Sequence, residues 1–317
     1  MKLTVVICTH NRCDLLNTAI DSINSANRPE GYDISILVIA NACADASVSY
    51  LKQYQAQQLA QHHLPLTFFE EPRPGKSYAL NQAIRLTASG YLCFMDDDQR
   101  LDKNYFAKIM DALSLFPQAS LLCGPLLPDW QGDEPAWIHE TGKYRIYPLP
   151  IPVFDLGQSP LRISQENQTP PGGQVIIHHD VFQRIGQFSE QLGPTGHNLM
   201  GSEDTEFFMR AIAGGEVFYY LPSIIQYHYV DKKRLRLSYL LKVCFQRNRS
   251  ITLARHPECS AVPLYLFRQL ASYAFGILFS LSLHKTRFYL MRFFLILGEI
   301  MGLISTLKIN MIAFIRN

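Results

Sequence analysis

The apolar positions of the first 125 residues fall in two alternating periods. Runs at 3–8, 34–40, 66–69 and 91–95 are continuously apolar and rich in β-branched or aromatic residues, which predicts strands buried on both faces. Between them apolar residues recur at helical spacing. Leu15, Leu16, Ala19, Ile20 and Ile23 mark one helix, and Leu80, Ala83, Ile84 and Thr87 mark one face of another over 75–88. Further helices are expected after the second strand to about residue 61 and over 104–116, with a fifth strand starting at 120–122. Strand and helix alternate about every thirty residues, the pattern of βαβ units in a mostly parallel, Rossmann-like α/β sheet with flanking helices. Residues 126–172, rich in Pro, Gly and aromatics, read as long loops, and from 238 onward the chain turns strongly apolar with scattered positive charge.

A sheet of this kind takes ligands beyond the carboxyl ends of its strands, so polar residues that follow each apolar run are the candidates for chemistry. The first run ends in Thr9-His10-Asn11-Arg12 and the second in Asn41-Ala42-Cys43-Ala44-Asp45. The third leads to Arg73-Pro74-Gly75-Lys76-Ser77, where a free backbone and a lysine open a helix and favour a phosphate. The fourth runs into Asp96-Asp97-Asp98. Three adjacent carboxylates repel one another unless a cation sits among them, and hard oxygen ligands at a strand end suit Mg²⁺ or Mn²⁺ bridging a diphosphate. The plainer reading is a cap for the helix that follows, where Asp is favoured.

Composition narrows the class. At 317 residues the chain can bury a full core, and a net charge of +2 provides no basic field for nucleic acid. Cys8, Cys13, Cys43, Cys93, Cys123, Cys244 and Cys259 are odd in number, match no zinc spacing and sit mostly in apolar runs, as buried thiols in a reducing compartment would. The short apolar start has no small-residue cleavage site, so a secretory signal is not expected. The first strand is followed by no G-x-G-x-x-G and the chain holds no G-x-x-x-x-G-K-[ST], which argues against a dinucleotide dehydrogenase and a P-loop enzyme.

In order along the chain, Val5-Val6-Ile7-Cys8-Thr9-His10-Asn11-Arg12, Asn41…Asp45, Gly75-Lys76-Ser77-Tyr78-Ala79-Leu80-Asn81, Phe94-Met95-Asp96-Asp97-Asp98, Gly201-Ser202-Glu203-Asp204-Thr205-Glu206-Phe207 with Arg210, and Pro222…His228 resemble the motifs of glycosyltransferase family 2 over about residues 3–250. The resemblance implies a GT-A fold, a nucleoside-diphosphate sugar donor with UDP favoured, a divalent metal (Mn²⁺ or Mg²⁺) and inverting transfer. It implies that Thr9, Asn11 and Arg12 border the nucleotide and that Asp96 and Asp97 lie on its ribose or base side. It also implies that Asp98, with Asp96 and His228, holds the metal and that Asp204, beside Glu203, is the base. The family's usual Asp before Asn41 is Ala40 here, which leaves base recognition to Asn41 or Asp45. The plainer reading of Glu203, Asp204 and Glu206 is negative charge at a helix N-terminus.

Several features are open between two readings. Lys232, Lys233, Arg234 and Arg236, then Arg247 and Arg249 in Gln246-Arg247-Asn248-Arg249-Ser250, form either a clamp on diphosphate or anionic lipid or a solvated basic face. Trp130 and Trp137 can stack on a sugar or lipid, or fill a core. Pro171-Gly172-Gly173-Gln174-Val175 enters a strand that in relatives borders the acceptor. Residues 264–283 and 288–307 are apolar, flanked by Lys285, Arg287, Lys308 and Arg316. The first is short for the ~20 residues of a span, and the second would bury Arg292 and Glu299. Helices lying in the cytoplasmic leaflet are favoured over a capping hairpin or an oligomer interface.

The expectation is therefore a catalytic domain over 1–250, with a nucleotide-sugar half to about 125 and an acceptor half from 126, and a membrane-associated helical region over 251–317. It would transfer sugar to a polysaccharide, glycolipid or lipid-linked acceptor at the cytoplasmic face of the inner or plasma membrane. A sugar-phosphate nucleotidyltransferase and a non-catalytic scaffold of a polysaccharide assembly are the competing functions. The first would want a Gly-rich phosphate signature near the N-terminus that is missing.

Overall fold

The computed structural model describes residues 1–58, 61–147, 149–191, 203–255 and 261–316. Gly201, Ser202, Cys259 and the side chain of Arg316, all singled out above, lie outside the described residues.

The chain begins with β1 (Lys2–Thr9), α1 (Cys13–Ser25), β2 (Asp33–Asn41), α2 (Ser47–Gln57), β3 (Leu66–Glu71), α3 (Lys76–Leu86) and β4 (Tyr91–Asp96). It continues through β5 (Gln99–Leu101), α4 (Tyr105–Leu115), β6 (Leu121–Cys123), β7 (Leu126–Asp129), β8 (Leu161–Arg162), β9 (Val175–His178) and α5 (His179–Ile185). Then follow α6 (Glu203–Ala213), β10 (Phe218–Tyr220), β11 (Gln226–Tyr229), α7 (Leu237–Arg255), α8 (Leu264–Leu278) and α9 (Leu283–Arg316).

Eight strands form one sheet in the order β3-β2-β1-β4-β9-β6-β10-β8. The first four are parallel, as expected, whereas β9 runs antiparallel to both β4 and β6. Alternate strand residues enter separate cores because successive side chains leave opposite faces. Val5, Ile7, Ile36 and Val38 pack with α1 and α4 through Leu16, Ile20, Phe106 and Ile109. Val6, Leu37 and Ile39 pack with α3 and α6 through Leu80, Ala83, Phe207 and Phe208.

β7 from the expected loop region and β5 just after the Asp triplet, neither marked by the hydrophobic pattern, flank β11 in a second, three-stranded sheet, β5-β11-β7. Arg100 ties it together by pairing with Asp129 and lying 4.3 Å over the Tyr227 ring. Pairing of Gln99 with His228 carries His228 back to the end of β4.

Residues 1–129 with 152–229 form one compact unit, and residues 130–151 with 230–317 form a second. In the second, Trp130 and Trp137 pack against Ile138, Ile151, Val230 and Leu235, the core role rather than the stacking one. Lys232 pairs with Asp133. The helices divide differently from the expected apolar segments 264–283 and 288–307. The break falls at 279–282, and α9 then continues for 34 residues, of which Leu283–Lys308 have mean hydropathy 1.8 and are long and apolar enough to cross a membrane.

Candidate functional site

β1 to β4 end on one edge, and their register fixes which residues meet. Cys8 lies opposite Asp96, Thr9 opposite Ala40, and Asn41 opposite Glu71. Above that edge lies a cleft of about 360 Å³ lined by Thr9, Arg12, Asn41, Lys76, Asp96, Asp97, Asp98 and His228, and also by Cys8, His10, Pro74, Gly75 and Ala79. Eight of the sequence-derived candidates therefore converge. Cys8 and His10 belong to the first motif, yet as a buried-strand thiol and an exposed loop imidazole they give no chemical signal before the cleft is seen.

Two cations pair with the carboxylate triplet. Arg12 Nη1 reaches Asp97 Oδ1 and Asp98 Oδ2, both at 3.0 Å, and Lys76 Nζ reaches Asp96 Oδ1 at 2.6 Å. Burial alone would push Lys76 towards its neutral form, but the Asp96 carboxylate outweighs it and raises the ammonium's pKa. Burial likewise disfavours charge on Asp96, and Lys76 overrides it and holds the carboxyl low. Asp97 is different. Burial, aided by the charge of Asp98, pushes it up to about 6, although Arg12 and the Thr9 hydroxyl, 2.8 Å from Oδ2, oppose the shift. Burial also pushes the Cys8 thiol up to about 12, so it forms an uncharged wall. None of the triplet caps α4, whose N-cap is Asn104 after the intervening β5.

The loops around the cleft are braced by the same motifs. The Asn41 amide is fully engaged: Nδ2 donates to the carbonyls of Glu71 and Arg73 at 3.2 and 2.7 Å, and Oδ1 accepts from Gly75 N at 2.9 Å. Gly75 has φ +143°, open to glycine, and this turn delivers Lys76 to the first turn of α3. Asn11 is left-handed at φ 54° and accepts from Ala44 N at 2.6 Å. Asp45 accepts from Cys13 N at 3.1 Å and Ser47 N at 3.0 Å, and although burial works the other way these bonds hold its carboxyl low. Asn41, Asn11 and Asp45 thus spend their polar atoms on loop geometry.

A second pair of carboxylates meets the triplet across Gly172-Gly173. Asp204 Oδ2 accepts from Gly172 N at 2.8 Å and Oδ1 from Thr205 N at 2.7 Å. On the other side, a Cβ at Gly173 would lie 2.6 Å from the Asp96 carboxyl carbon, and one at Gly172 would lie 3.0 Å from Asp204 Cβ. Glu203 is 4% exposed, and among the described residues its Oε2 has no hydrogen-bond partner. Burial raises its pKa against the nearby charge of Lys76. Both carboxylates stand in the first turn of α6, where the helix dipole also favours negative charge.

His228 Nδ1 lies 2.7 Å from the Tyr229 carbonyl, which can only accept. In the neutral ring the Nε2 lone pair is then left facing Asp98 Oδ1, 3.5 Å away. Among the described residues no three His, Cys, Asp or Glu side chains converge as a ready metal cage. Arg247 and Arg249 lie on α7 in the second unit, where Arg249 donates to Ser305.

Strand-end carboxylates over a parallel half-sheet, with a mixed half bringing in a second acidic pair, define a GT-A glycosyltransferase architecture. The family model for glycosyl transferase family 2 matches residues 4–182, more than half of the chain, and the chain belongs to that family. A relative is the succinoglycan biosynthesis protein ExoM of Rhizobium meliloti (strain 1021), 21% identical over 251 residues, covering 79% of this chain and 74% of that protein. Among solved structures, residues 1–349 of S. aureus TarS in complex with UDP-GlcNAc superpose with a TM-score of 0.52 at 14% identity. That match covers 77% of this chain and 66% of the other, just under two thirds of its length. The mannosyltransferase PcManGT from Pyrobaculum calidifontis, in complex with GDP-Man and Mn²⁺, superposes with a TM-score of 0.57 at 17% identity over 96% of this chain and 87% of its own. The protein is a glycosyltransferase of the GT-A fold.

Proposed function

We propose that this glycosyltransferase moves a sugar from a nucleoside-diphosphate donor, UDP favoured, to a glycan, glycolipid or lipid-linked acceptor in polysaccharide biosynthesis, with inversion at the anomeric carbon. ExoM's part in succinoglycan biosynthesis and the UDP-GlcNAc and GDP-Man held by the two solved structures support the substrate class. The observation that carries the mechanism is the Gly172-Gly173 backbone, which has Asp96 on one side and Asp204 on the other with no side chain between. We read this backbone as the divide between the donor side, at Asp96, and the acceptor side, at Asp204.

In this reading the nucleotide enters along Thr9, Asn11 and Arg12, with Asn41 and Asp45 shaping the loop beneath it. Lys76 and Arg12 already line the cleft as cations and are placed to meet the diphosphate. Asp204 is the general base. The two backbone N–H groups that hold it leave each oxygen a lone pair for the acceptor hydroxyl's proton. The acceptor oxygen bonds to the anomeric carbon from the face opposite the diphosphate, and the bond from that carbon to the phosphate oxygen breaks with its electron pair leaving on the nucleoside diphosphate. Glu203, buried near Lys76, balances that ammonium and stiffens the pair.

The donor set fits a hard divalent cation. Asp98 and the Nε2 of His228 are oxygen and nitrogen ligands 3.5 Å apart, with Asp96 beside them, and Mg²⁺ or Mn²⁺ needs only one or two protein ligands when phosphates complete its shell. Such an ion, when bound, neutralises the leaving diphosphate. We place catalysis in residues 1–250 and membrane association, at the cytoplasmic face, in 251–317, on the strength of the apolar α8 and α9.

The test is Asp204→Asn in the purified enzyme. Donor affinity by calorimetry should be retained, while transfer to acceptor falls about a hundredfold or more, the scale for removal of a positioned base. Near-normal transfer would remove Asp204 from the role. Inactivity of Glu203→Gln with an active Asp204→Asn would move it by one residue.

A further inference from the structure

Helix α8 has two unlike sides. One packs on α9: Leu266, 1% exposed, meets Ile300 and Leu303. At Gly276 a Cβ would lie 2.8 Å from the Tyr289 ring, so the helices approach closely. The opposite side carries Leu264, Phe267, Phe275 and Leu278, and Phe279 and Leu281 extend it through the turn into α9. All six are exposed, from 45% at Phe267 to 105% at Leu281. Isolated surface leucines are ordinary in a soluble domain, but a continuous stripe of Leu and Phe along one helix face marks a contact surface.

The charge pattern selects the occupant. Residues 261–298 contain Arg268, Lys285, Arg287 and Arg292 and no Asp or Glu. Arg287 is held by Glu140 and the exposed Lys285 lies 5.3 Å over the Tyr144 ring, whereas Arg268 stands exposed on α8 itself. An apolar face rimmed by positive charge and free of acid complements an anionic lipid leaflet.

Helix α9 passes the length and hydropathy test for a span, but its packing argues against that use. A Cβ at Gly298 would lie 2.3 Å from the Phe245 carbonyl oxygen, and one at Gly302 would lie 2.8 Å from that of Arg249. Asn248 donates to the Leu295 carbonyl at 2.9 Å. The middle of α9 is thus locked to α7, which carries Lys242, Arg247 and Arg249. Threading α9 through hydrocarbon would break these contacts or draw those charges in with it.

We propose that the outer face of α8 and the 279–283 turn insert side-on into the headgroup–acyl boundary of an anionic membrane, and that α9 is the internal support of this helical unit and not a span. The proposal rests on the reading that the enzyme works at a membrane, and it names the surface and the mode.

The full-length protein is mixed with vesicles of phosphatidylcholine alone or with phosphatidylglycerol, and bound protein is separated by flotation. Wild type should float with the anionic vesicles and be released by high salt or alkaline carbonate. Phe275→Glu with Leu278→Glu should lower the partition coefficient at least tenfold with donor affinity unchanged. As a check independent of that variant, the indole introduced by Phe275→Trp should be quenched by brominated phosphatidylglycerol. Flotation unaffected by the double substitution, or an unquenched indole in bound Phe275→Trp protein, overturns the choice of α8. Carbonate-resistant binding overturns the side-on mode in favour of a span. A self-associated protein that the double substitution renders monomeric makes the stripe an interface between copies. Wild type that floats with no vesicle removes the membrane reading itself.

Discussion

A methyl group at residue 173 would stand 2.6 Å from the Asp96 carboxyl carbon and 2.9 Å from Gln99 Nε2, so the glycine is required by what surrounds it. Gly173→Ala should lower kcat/KM by about a hundredfold, the scale of a misplacement near 1 Å in a reacting site, with a near-native circular dichroism spectrum. Gly172→Ala, whose Cβ would meet Asp204 at 3.0 Å, should be milder. An alanine at 173 with full activity would mean that Asp96 is not held where catalysis needs it. On the other side of the cleft, Asp98→Ala should weaken donor binding in the presence of Mn²⁺ at least tenfold and have little effect without it, as read by calorimetry. Equal affinities in all four conditions would remove the metal from the mechanism. The candidates themselves were visible in the sequence as acidic clusters, because carboxylates at strand ends carry their own signal. Asn41 shows the limit of that signal. The family resemblance, with Ala40 in place of the usual Asp, left base contact to Asn41 or Asp45, yet the three hydrogen bonds of the Asn41 amide go to the loop that delivers Gly75 and Lys76.

At the scale of elements, α5 is tied to the chain entering β10 by Arg184 and Glu216, at 2.6 and 2.9 Å. That pairing, with burial opposing it, holds the Glu216 carboxyl below the ordinary range. A folded-state pKa lower than the unfolded one means that the stabilisation is present above the unfolded value, about 4.3, and is lost as pH falls through the folded value. Urea unfolding between pH 7 and pH 3 should therefore show a stability loss below about pH 4 that is shallower in Glu216→Gln. The effect should be on the order of 1 kcal/mol, since half of Arg184 faces water. Helices α7 and α9 are joined through a different device, a glycine contact. Gly298→Leu would force a side chain against the Phe245 carbonyl and should destabilise the second unit by about 1–3 kcal/mol, seen as a lowered melting temperature. Long elements with strong periodicity, β1 to β4 and α1, α3 and α4, were legible in advance. The short strands β5 and β7 were not, because three or four residues are too few to establish a period and their pairing with β11 is entirely long-range.

For the whole molecule, donor and metal should act as linked ligands. Mn²⁺ with UDP at about a hundred times its dissociation constant should stabilise the native state by about 2.7 kcal/mol, and either alone by less. A thermal-shift series across UDP and GDP, with and without Mn²⁺, reads this directly. If GDP gave the larger shift, the preference for UDP would be overturned and the sugar-transfer assignment would stand.

Local sequence determined the parts of this protein whose physics is local. Continuous apolar runs made the parallel half of the sheet, helical spacing made its flanking helices, and the residues placed just past each strand end were thereby committed to one edge. Tertiary structure alone decided three matters. It set β9 antiparallel between β4 and β6, because strand direction depends on which neighbours compete for an open sheet edge. It brought His228 to Asp98 across 130 residues by pairing β11 with β5, a juxtaposition that the family resemblance implied but that no local hydrophobic period encodes. It also decided that the apolar C-terminal segments are unlike in exposure, since hydropathy measures how apolar a helix is and only packing determines which face of it is left uncovered.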